Sequence, residues 1–177
     1  DNILFQGTHI RLNNYEYYIL NKPAGYVSAT KDNVHSTVLS LIDSSRKDLF
    51  PVGRLDKDTE GLLLITNDGA LAHRLLSPRH HVDKTYYAVI DGEITDSDID
   101  AFFQGIEIVD EDLKTALPAK LMRLPEMCAE QKQSSLPMNP PIHPVSHVTV
   151  TIQEGKFHQV KRMFQAIDRT VLYLQRI

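Results

Sequence analysis

Three acidic side chains stand at alternate positions in the segment GRLDKDTEGLLLITNDG, residues 53–69. They are Asp56, Asp58 and Glu60, and an apolar run, GLLLIT, follows directly. Carboxylates in such a pattern can bind a cation, or one of them can act as a nucleophile. The third interpretation is structural, a polar turn that leads into a buried strand.

A metal site would need ligands that the sequence does not supply. DKDTEG matches the start of a calcium-binding loop, with acids at its first, third and fifth positions and glycine at the sixth. The ninth position is Leu64, and the twelfth is Asn67, which lacks the bidentate carboxylate that completes such a loop. Zinc is disfavoured too, because His80 and His81 are adjacent and no thiol accompanies them.

Asp56 stands at the edge of the apolar run, where a side chain can be held in one orientation. Arg54 lies two residues before it, in range to brace the carboxylate. On spacing alone, a salt-bridged turn is favoured over catalysis, because surface acids are common and catalytic acids are rare.

The composition is that of a soluble globular protein. The chain has 177 residues, 42% of them hydrophobic and 24% charged, enough for one domain or for two small lobes that share a cleft. A lone cysteine, Cys128, excludes an intrachain disulfide and suits a reducing cytoplasm, where we expect the protein. No apolar run approaches the roughly 20 residues of a membrane span. The net charge of −4 argues mildly against nucleic-acid binding, although basic residues cluster locally.

Apolar spacing and turn residues predict interspersed strands and helices. Strands are expected at 15–20, 61–66, 84–92, 147–155 and 171–174. Helices are expected at 36–43, 69–77, 95–104 and 157–167. The strand 61–66 should be buried on both faces, and Ile99, Phe102 and Phe103 should face the core. Residues 125–146 hold five of the nine prolines and predict a long surface loop.

Five segments together resemble the pseudouridine synthase family. GRLDKDTEGLLL is similar to the signature G-R-L-D-x-x-T-x-G-L-L-L, which carries that family's nucleophilic aspartate. Further segments resemble the family in the same order: YYILNKPAGYVS (17–28), KTYYAVIDG (84–92), EGKFHQVKRMF (154–164) and VLYLQRI (171–177). SPRHH (77–81) resembles the branch that modifies small-subunit ribosomal RNA.

This resemblance implies a fold and a set of site residues. The fold is α+β, a mixed and mostly antiparallel sheet in two lobes with helices and an active-site cleft between them. The catalytic residues are the nucleophile Asp56, the active-site tyrosine Tyr86 and the basic partner Lys161. Tyr87 should point to the opposite face of its strand. The residues expected to bind substrate are Arg54, Arg79, His80, Lys84, His158, Arg162 and Leu174.

The implied activity is isomerisation of a uridine to pseudouridine in ribosomal RNA, most closely that of the small subunit. This activity requires no cofactor and no metal. The expected partner is ribosomal RNA in a partly assembled subunit. We expect the protein to be a monomer that does not bind a membrane. The alternative is a non-catalytic RNA-binding or ribosome-assembly module, but a binding module would need none of the three catalytic residues. Residues 1–14 are expected to be a linker or the remnant of an S4-type RNA-binding domain. Residues 15–177 are expected to form the catalytic domain, incomplete at its C-terminal end.

Overall fold

The structure, a computed structural model, describes residues 3–5, 8–10, 15–108, 114–125 and 144–177. Within these ranges the helices are α1 (Gly69–Leu76), α2 (Asp96–Gln104) and α3 (Gln159–Gln165). The strands are β1 (Ile3–Phe5), β2 (Thr8–Ile10), β3 (Tyr17–Lys22), β4 (Phe50–Pro51), β5 (Glu60–Thr66), β6 (Lys84–Asp91), β7 (Glu107–Ile108), β8 (Lys114–Thr115), β9 (Lys120–Arg123), β10 (Val145–Ile152) and β11 (Thr170–Arg176).

Seven strands form one mixed sheet in the order β3-β5-β11-β6-β10-β9, with β4 also paired to β5. Its strand pairs are antiparallel except for β5 with β11, which run parallel. The α+β class with mostly antiparallel pairing is therefore confirmed. Two antiparallel ribbons, β1 with β2 and β7 with β8, stand apart from this sheet.

The two halves of the sheet meet at a short parallel contact. β5 and β11 pair over Glu60 with Gln175 and over Gly61 with Arg176. Gly61 has φ of +102°, and a Cβ there would lie 2.0 Å from the carbonyl oxygen of Arg176. Only glycine fits this approach. The contact brings the loop before β5 beside the end of β11, and the candidate site lies there.

One face of the sheet carries the main core. Tyr86, Ala88 and Ile90 alternate on β6 and pack in it together with α2 and α3, whose Phe102 and Phe164 rings lie 4.9 Å apart. Tyr87 points the other way and packs edge-on against Tyr173. The expected separation of Tyr86 from Tyr87 is thus confirmed, and the strand period of two explains it.

The starts of α1 and α2 agree with the sequence prediction to within about one residue, whereas α3 starts at Gln159 rather than at 157. Asp68 caps α1 by accepting a hydrogen bond from the Leu71 amide. Thr95 and Asp98 form a reciprocal capping box at the start of α2. Such caps depend only on neighbouring residues, so the sequence alone reveals them.

Three predicted features were wrong. Phe103 is 74% exposed, because the short helix α2 buries a narrow stripe through Phe102 instead. Leu62 is 43% exposed, because the face of β5 opposite the main core is not covered there. The helix predicted at 36–43 is a single 3₁₀ turn, Val38–Leu41.

Other predictions fall partly or wholly outside the described residues. Most of the predicted loop 125–146 does so, while β10 already begins at Val145. The assignment of residues 1–14 stays a prediction. In the part of the chain that the structure describes, none of the helices has the length and apolar character needed to cross a membrane.

Candidate active site

Asp56 lies in the loop between β4 and β5, which is tied down on both sides. The hydroxyl of Ser28 accepts a hydrogen bond from the Leu55 amide at 3.0 Å and donates one to the Leu55 carbonyl at 2.9 Å. The Thr59 amide donates to the Asp56 carbonyl at 3.1 Å and closes a turn. Leu55 and Thr59 are buried, whereas the Asp56 side chain remains 26% exposed. The loop therefore presents one carboxylate to the cleft from a fixed backbone.

A buried lysine, which the sequence analysis did not single out, supports the same loop. Lys22 is fully buried, and its Nζ donates to the carbonyl oxygens of Pro23, Lys57 and Thr59 at 3.1, 3.2 and 2.7 Å. Burial lowers the pKa of Lys22, while nearby acids, Asp58 foremost, oppose that shift. The signal in the sequence was a lysine at the end of an apolar strand, directly before a proline turn.

We expect Lys22→Met to lower the free energy of unfolding by about 2–3 kcal/mol, because buried carbonyls lose a charged donor. Urea denaturation of the purified protein measures this loss. Lys57→Met is the matched control, because the Lys57 side chain is exposed and only its carbonyl is used. Its effect should stay within about 0.5 kcal/mol. Equal effects of the two substitutions would contradict the assigned role.

The carboxylate of Asp56 faces two basic side chains from the start of α3. Nζ of Lys161 lies 3.2 Å from Oδ2, and Nε2 of His158 lies 3.5 Å from Oδ1. Arg54, expected to brace this carboxylate, instead lines the cleft beside it. Within the described residues, Lys161 and His158 are the basic groups within 4 Å of the Asp56 carboxylate.

Lys161 is shared between two acids. Its Nζ donates to both carboxylate oxygens of Asp58, at 2.7 and 2.8 Å, closer than its contact with Asp56. Burial would raise the pKa of Asp58, but the hydrogen bond and charge of Lys161 outweigh burial and hold it below the usual value. An ammonium between these two acids also argues against the calcium interpretation, because it occupies the place of the cation.

Tyr86 forms the floor of the cleft. Its side chain is buried, and burial raises its pKa, an effect that Arg176 only partly offsets by its charge and a hydrogen bond. The phenol is therefore neutral near pH 7. Arg176 pairs with Tyr86 across β11 and β6, and its Nε donates to the Leu62 carbonyl at 2.6 Å. Arg176 was not predicted as a site residue, because its closeness to Tyr86 depends on the pairing of distant strands.

The cleft has two parts that share lining residues. The larger part has a volume of about 370 Å³ and the smaller part about 70 Å³, and Arg54, Asp56, Tyr86 and His158 line both. Leu174 and Thr59 line the smaller part. The hydroxyl of Thr59 is buried and has no hydrogen-bond partner among the described residues, so it can bond to a group that enters.

The predicted substrate-binding residues divide into two sets. Lys84, like Arg54 and His158, lines the larger part of the cleft, and Leu174 lines the smaller part. Arg79 and His80 are exposed after α1 and do not line the described cleft. Arg162 stacks over the ring of Phe157, 5.2 Å from its centre.

Comparison with known proteins identifies relatives over most of the chain. A family model described as RNA pseudouridylate synthase matches residues 16–166. The ribosomal small subunit pseudouridine synthase A of Pseudomonas aeruginosa is 42% identical over 161 residues, which are 90% of this chain and 61% of that protein. The RNA pseudouridine synthase YtzG of Bacillus subtilis is 41% identical over 173 residues, 97% of this chain and 65% of that protein. The chain thus spans less than two thirds of the length of these relatives.

Solved structures show the same fold. A crystal structure of a pseudouridylate synthase superposes with a TM-score of 0.75 at 34% identity, covering 92% of this chain and 61% of that chain. Human RNA pseudouridylate synthase domain containing 1 superposes with a TM-score of 0.62 at 15% identity, over 95% of this chain and 75% of that chain, a likeness of fold alone. The family match extends from β3 to the end of α3 and includes the Asp56 loop, β6 and Lys161. The chain belongs to the RNA pseudouridylate synthase family.

Proposed function

We propose that this chain isomerises uridine to pseudouridine in ribosomal RNA, with Asp56 as the nucleophile. The observation that carries the proposal is the contact of the Asp56 carboxylate with Lys161 in a cleft floored by Tyr86. Family membership supplies the reaction class, and this contact supplies a residue able to perform it. Isomerisation needs Asp56, Lys161 and Tyr86 together in one cleft, whereas RNA binding without catalysis does not need this combination.

The reaction moves a base without changing the atoms of the nucleotide. The N1–C1′ bond breaks, the uracil turns, and a C5–C1′ bond forms, while C5 loses a proton and N1 gains one. There is no redox change and no net hydrolysis, so the chemistry itself calls for no cofactor. An ionised carboxylate can form the covalent intermediate that such a transfer uses. The ammonium of Lys161, 3.2 Å from Oδ2, places a positive charge beside the Asp56 carboxylate.

Tyr86, Leu174 and Thr59 are suited to receive the base. A uridine must leave its stack to reach Asp56, at a cost of a few kcal/mol. The neutral ring of Tyr86 can replace part of that stacking, and Leu174 offers an apolar wall. The Thr59 hydroxyl can form a hydrogen bond with the polar edge of the uracil.

Basic side chains around the larger part of the cleft are suited to hold the RNA backbone. They are Arg54, Lys84, Lys156 and Arg176. Such contacts form a local positive surface, although the chain carries a net charge of −4. Burial lowers the pKa of Lys84, and the charge of Arg176 adds to that effect, which identifies the two cations as neighbours.

Small-subunit ribosomal RNA is the proposed substrate class. The support comes from relatives named ribosomal small subunit pseudouridine synthase A, at 37–42% identity, together with the SPRHH segment at 77–81. We further propose that the protein acts as a cytoplasmic monomer on RNA in a partly assembled subunit.

Pseudouridine mapping tests this proposal. Ribosomal RNA from cells that lack the gene should miss one pseudouridine, expected in the small subunit, and the wild-type gene should restore it. The Asp56→Asn gene should not restore it. An unchanged pseudouridine map would refute action on ribosomal RNA, and restoration by Asp56→Asn would favour a non-catalytic role in ribosome assembly.

A further inference from the structure

His158, expected from the sequence to bind substrate, lines the cleft and also contacts the Asp56 carboxylate. We propose that His158 is a positioning residue, which holds Oδ1 of that carboxylate while Lys161 contacts Oδ2. This inference rests on the proposed function, because it concerns the nucleophile of that reaction.

The contact geometry assigns one basic group to each oxygen of the carboxylate. Lys161 approaches Oδ2 at 3.2 Å, and the Nε2 atom of His158 approaches Oδ1 at 3.5 Å. Two partners on different oxygens restrict rotation of the carboxylate more than one partner does. Lys161 lies closer to Asp58 than to Asp56, so it restrains the Asp56 carboxylate only in part. His158 supplies the second contact.

The backbone at His158 is in a conformation that needs external support. Its φ of 48° and ψ of 32° are left-handed, which is uncommon for a residue other than glycine and costs free energy. The adjacent Gln159 supplies support: it is buried, accepts a hydrogen bond from the Lys156 amide at 2.9 Å and donates one to Glu154 at 2.7 Å. The loop before α3 is therefore braced in the conformation that turns His158 toward Asp56.

A stacking contact with the preceding residue, Phe157, also holds the imidazole ring. It stacks on Phe157 with the ring centres 3.8 Å apart and the planes inclined by 18°. Arg162 lies over the same Phe157 ring. Phe157 remains 58% exposed, so its ring is kept at the cleft rather than in the core. This stacking fixes the plane of the imidazole, which a contact with a mobile phosphate would not require.

His158→Gln and His158→Asn separate the side-chain contact from the backbone effect. Both remove the imidazole, while asparagine tolerates the left-handed backbone. In the RNA-free protein at neutral pH, the carboxyl ¹³C signal of Asp56 should shift in both variants, because Oδ1 loses its neighbour. Under single-turnover conditions at saturating RNA, the rate should fall about tenfold. Half-saturation by RNA should change less than about twofold.

Lys84→Gln is the matched control for phosphate binding. It removes a cation from the larger part of the cleft, so it should weaken RNA binding and reduce the salt dependence without shifting the Asp56 carboxyl signal. If His158→Gln behaves like Lys84→Gln in all three measurements, the positioning role is refuted. If wild-type protein forms no pseudouridine but the Asp56 carboxyl signal still shifts in His158→Gln, the proposed function fails while the contact is upheld.

Discussion

Asp56→Asn is expected to lower the rate of uridine isomerisation by at least about a thousandfold, because an amide of the same shape is a far poorer nucleophile. Folding and RNA binding should be nearly unchanged, since the loop is held by Ser28, Thr59 and Lys22 rather than by the carboxylate. Tritium release from RNA labelled at uridine C5 measures the rate. Activity within tenfold of the wild type would rule out Asp56 as the nucleophile.

Two neighbouring acids provide the controls for that experiment. Glu60→Gln makes the same chemical change outside the cleft, where Glu60 accepts a hydrogen bond from Tyr173, and should retain substantial activity. Asp58→Asn should also retain activity within about tenfold, because Asp58 contacts Lys161 but does not line the described cleft. The calcium interpretation predicts instead that all three substitutions lower the activity equally. It also predicts that calorimetry detects tight calcium binding in the wild type and its loss in each variant.

Lys161→Met is expected to lower the single-turnover rate of isomerisation by about a hundredfold. Among the described residues, removing the ammonium leaves His158 as the basic group within 4 Å of the Asp56 carboxylate, so the carboxylate loses its nearest positive charge and one of its two contacts. The pKa of Asp58 should rise, because Lys161 is what overcomes the effect of burial on it. Single-turnover rates at saturating RNA measure the first effect, and carboxyl ¹³C NMR measures the second.

Variants of the same helix separate charge from shape in this test. Lys161→Arg should retain most activity, because the requirement is a positive charge and a guanidinium remains charged. Arg162→Met should weaken RNA binding without lowering the rate at saturating RNA, because Arg162 lies over Phe157 rather than at the carboxylate. An unchanged rate in Lys161→Met, or a comparable loss of rate in Arg162→Met, would show that the roles of these neighbours are reversed.

Single residues in the cleft show what sequence spacing cannot reveal. Lys22 is buried beneath the Asp56 loop. Its Nζ donates a hydrogen bond to the carbonyl oxygen of Lys57, which lies 35 residues further along the chain. Lys161 donates a hydrogen bond to Asp58, although the two residues are 103 positions apart in the chain. Arg176 reaches Tyr86 only because β11 pairs with β6. Arg79 and His80 looked like part of the cleft because they lie close to Lys84 in sequence, but they are exposed outside it.

The sequence by itself determined the features that depend on neighbouring residues or on a family signature. The caps at Asp68 and Thr95 are local hydrogen bonds, and the separation of Tyr86 from Tyr87 follows from strand geometry. The tertiary structure decided which side of an element is covered, as at Phe103, and which charges meet. Periodicity allows either of two neighbouring side chains to face inward, and only the packing partner selects one. The contacts of His158 and Lys161 with Asp56 likewise arise from strand pairing at Gly61, between segments that are far apart in the chain.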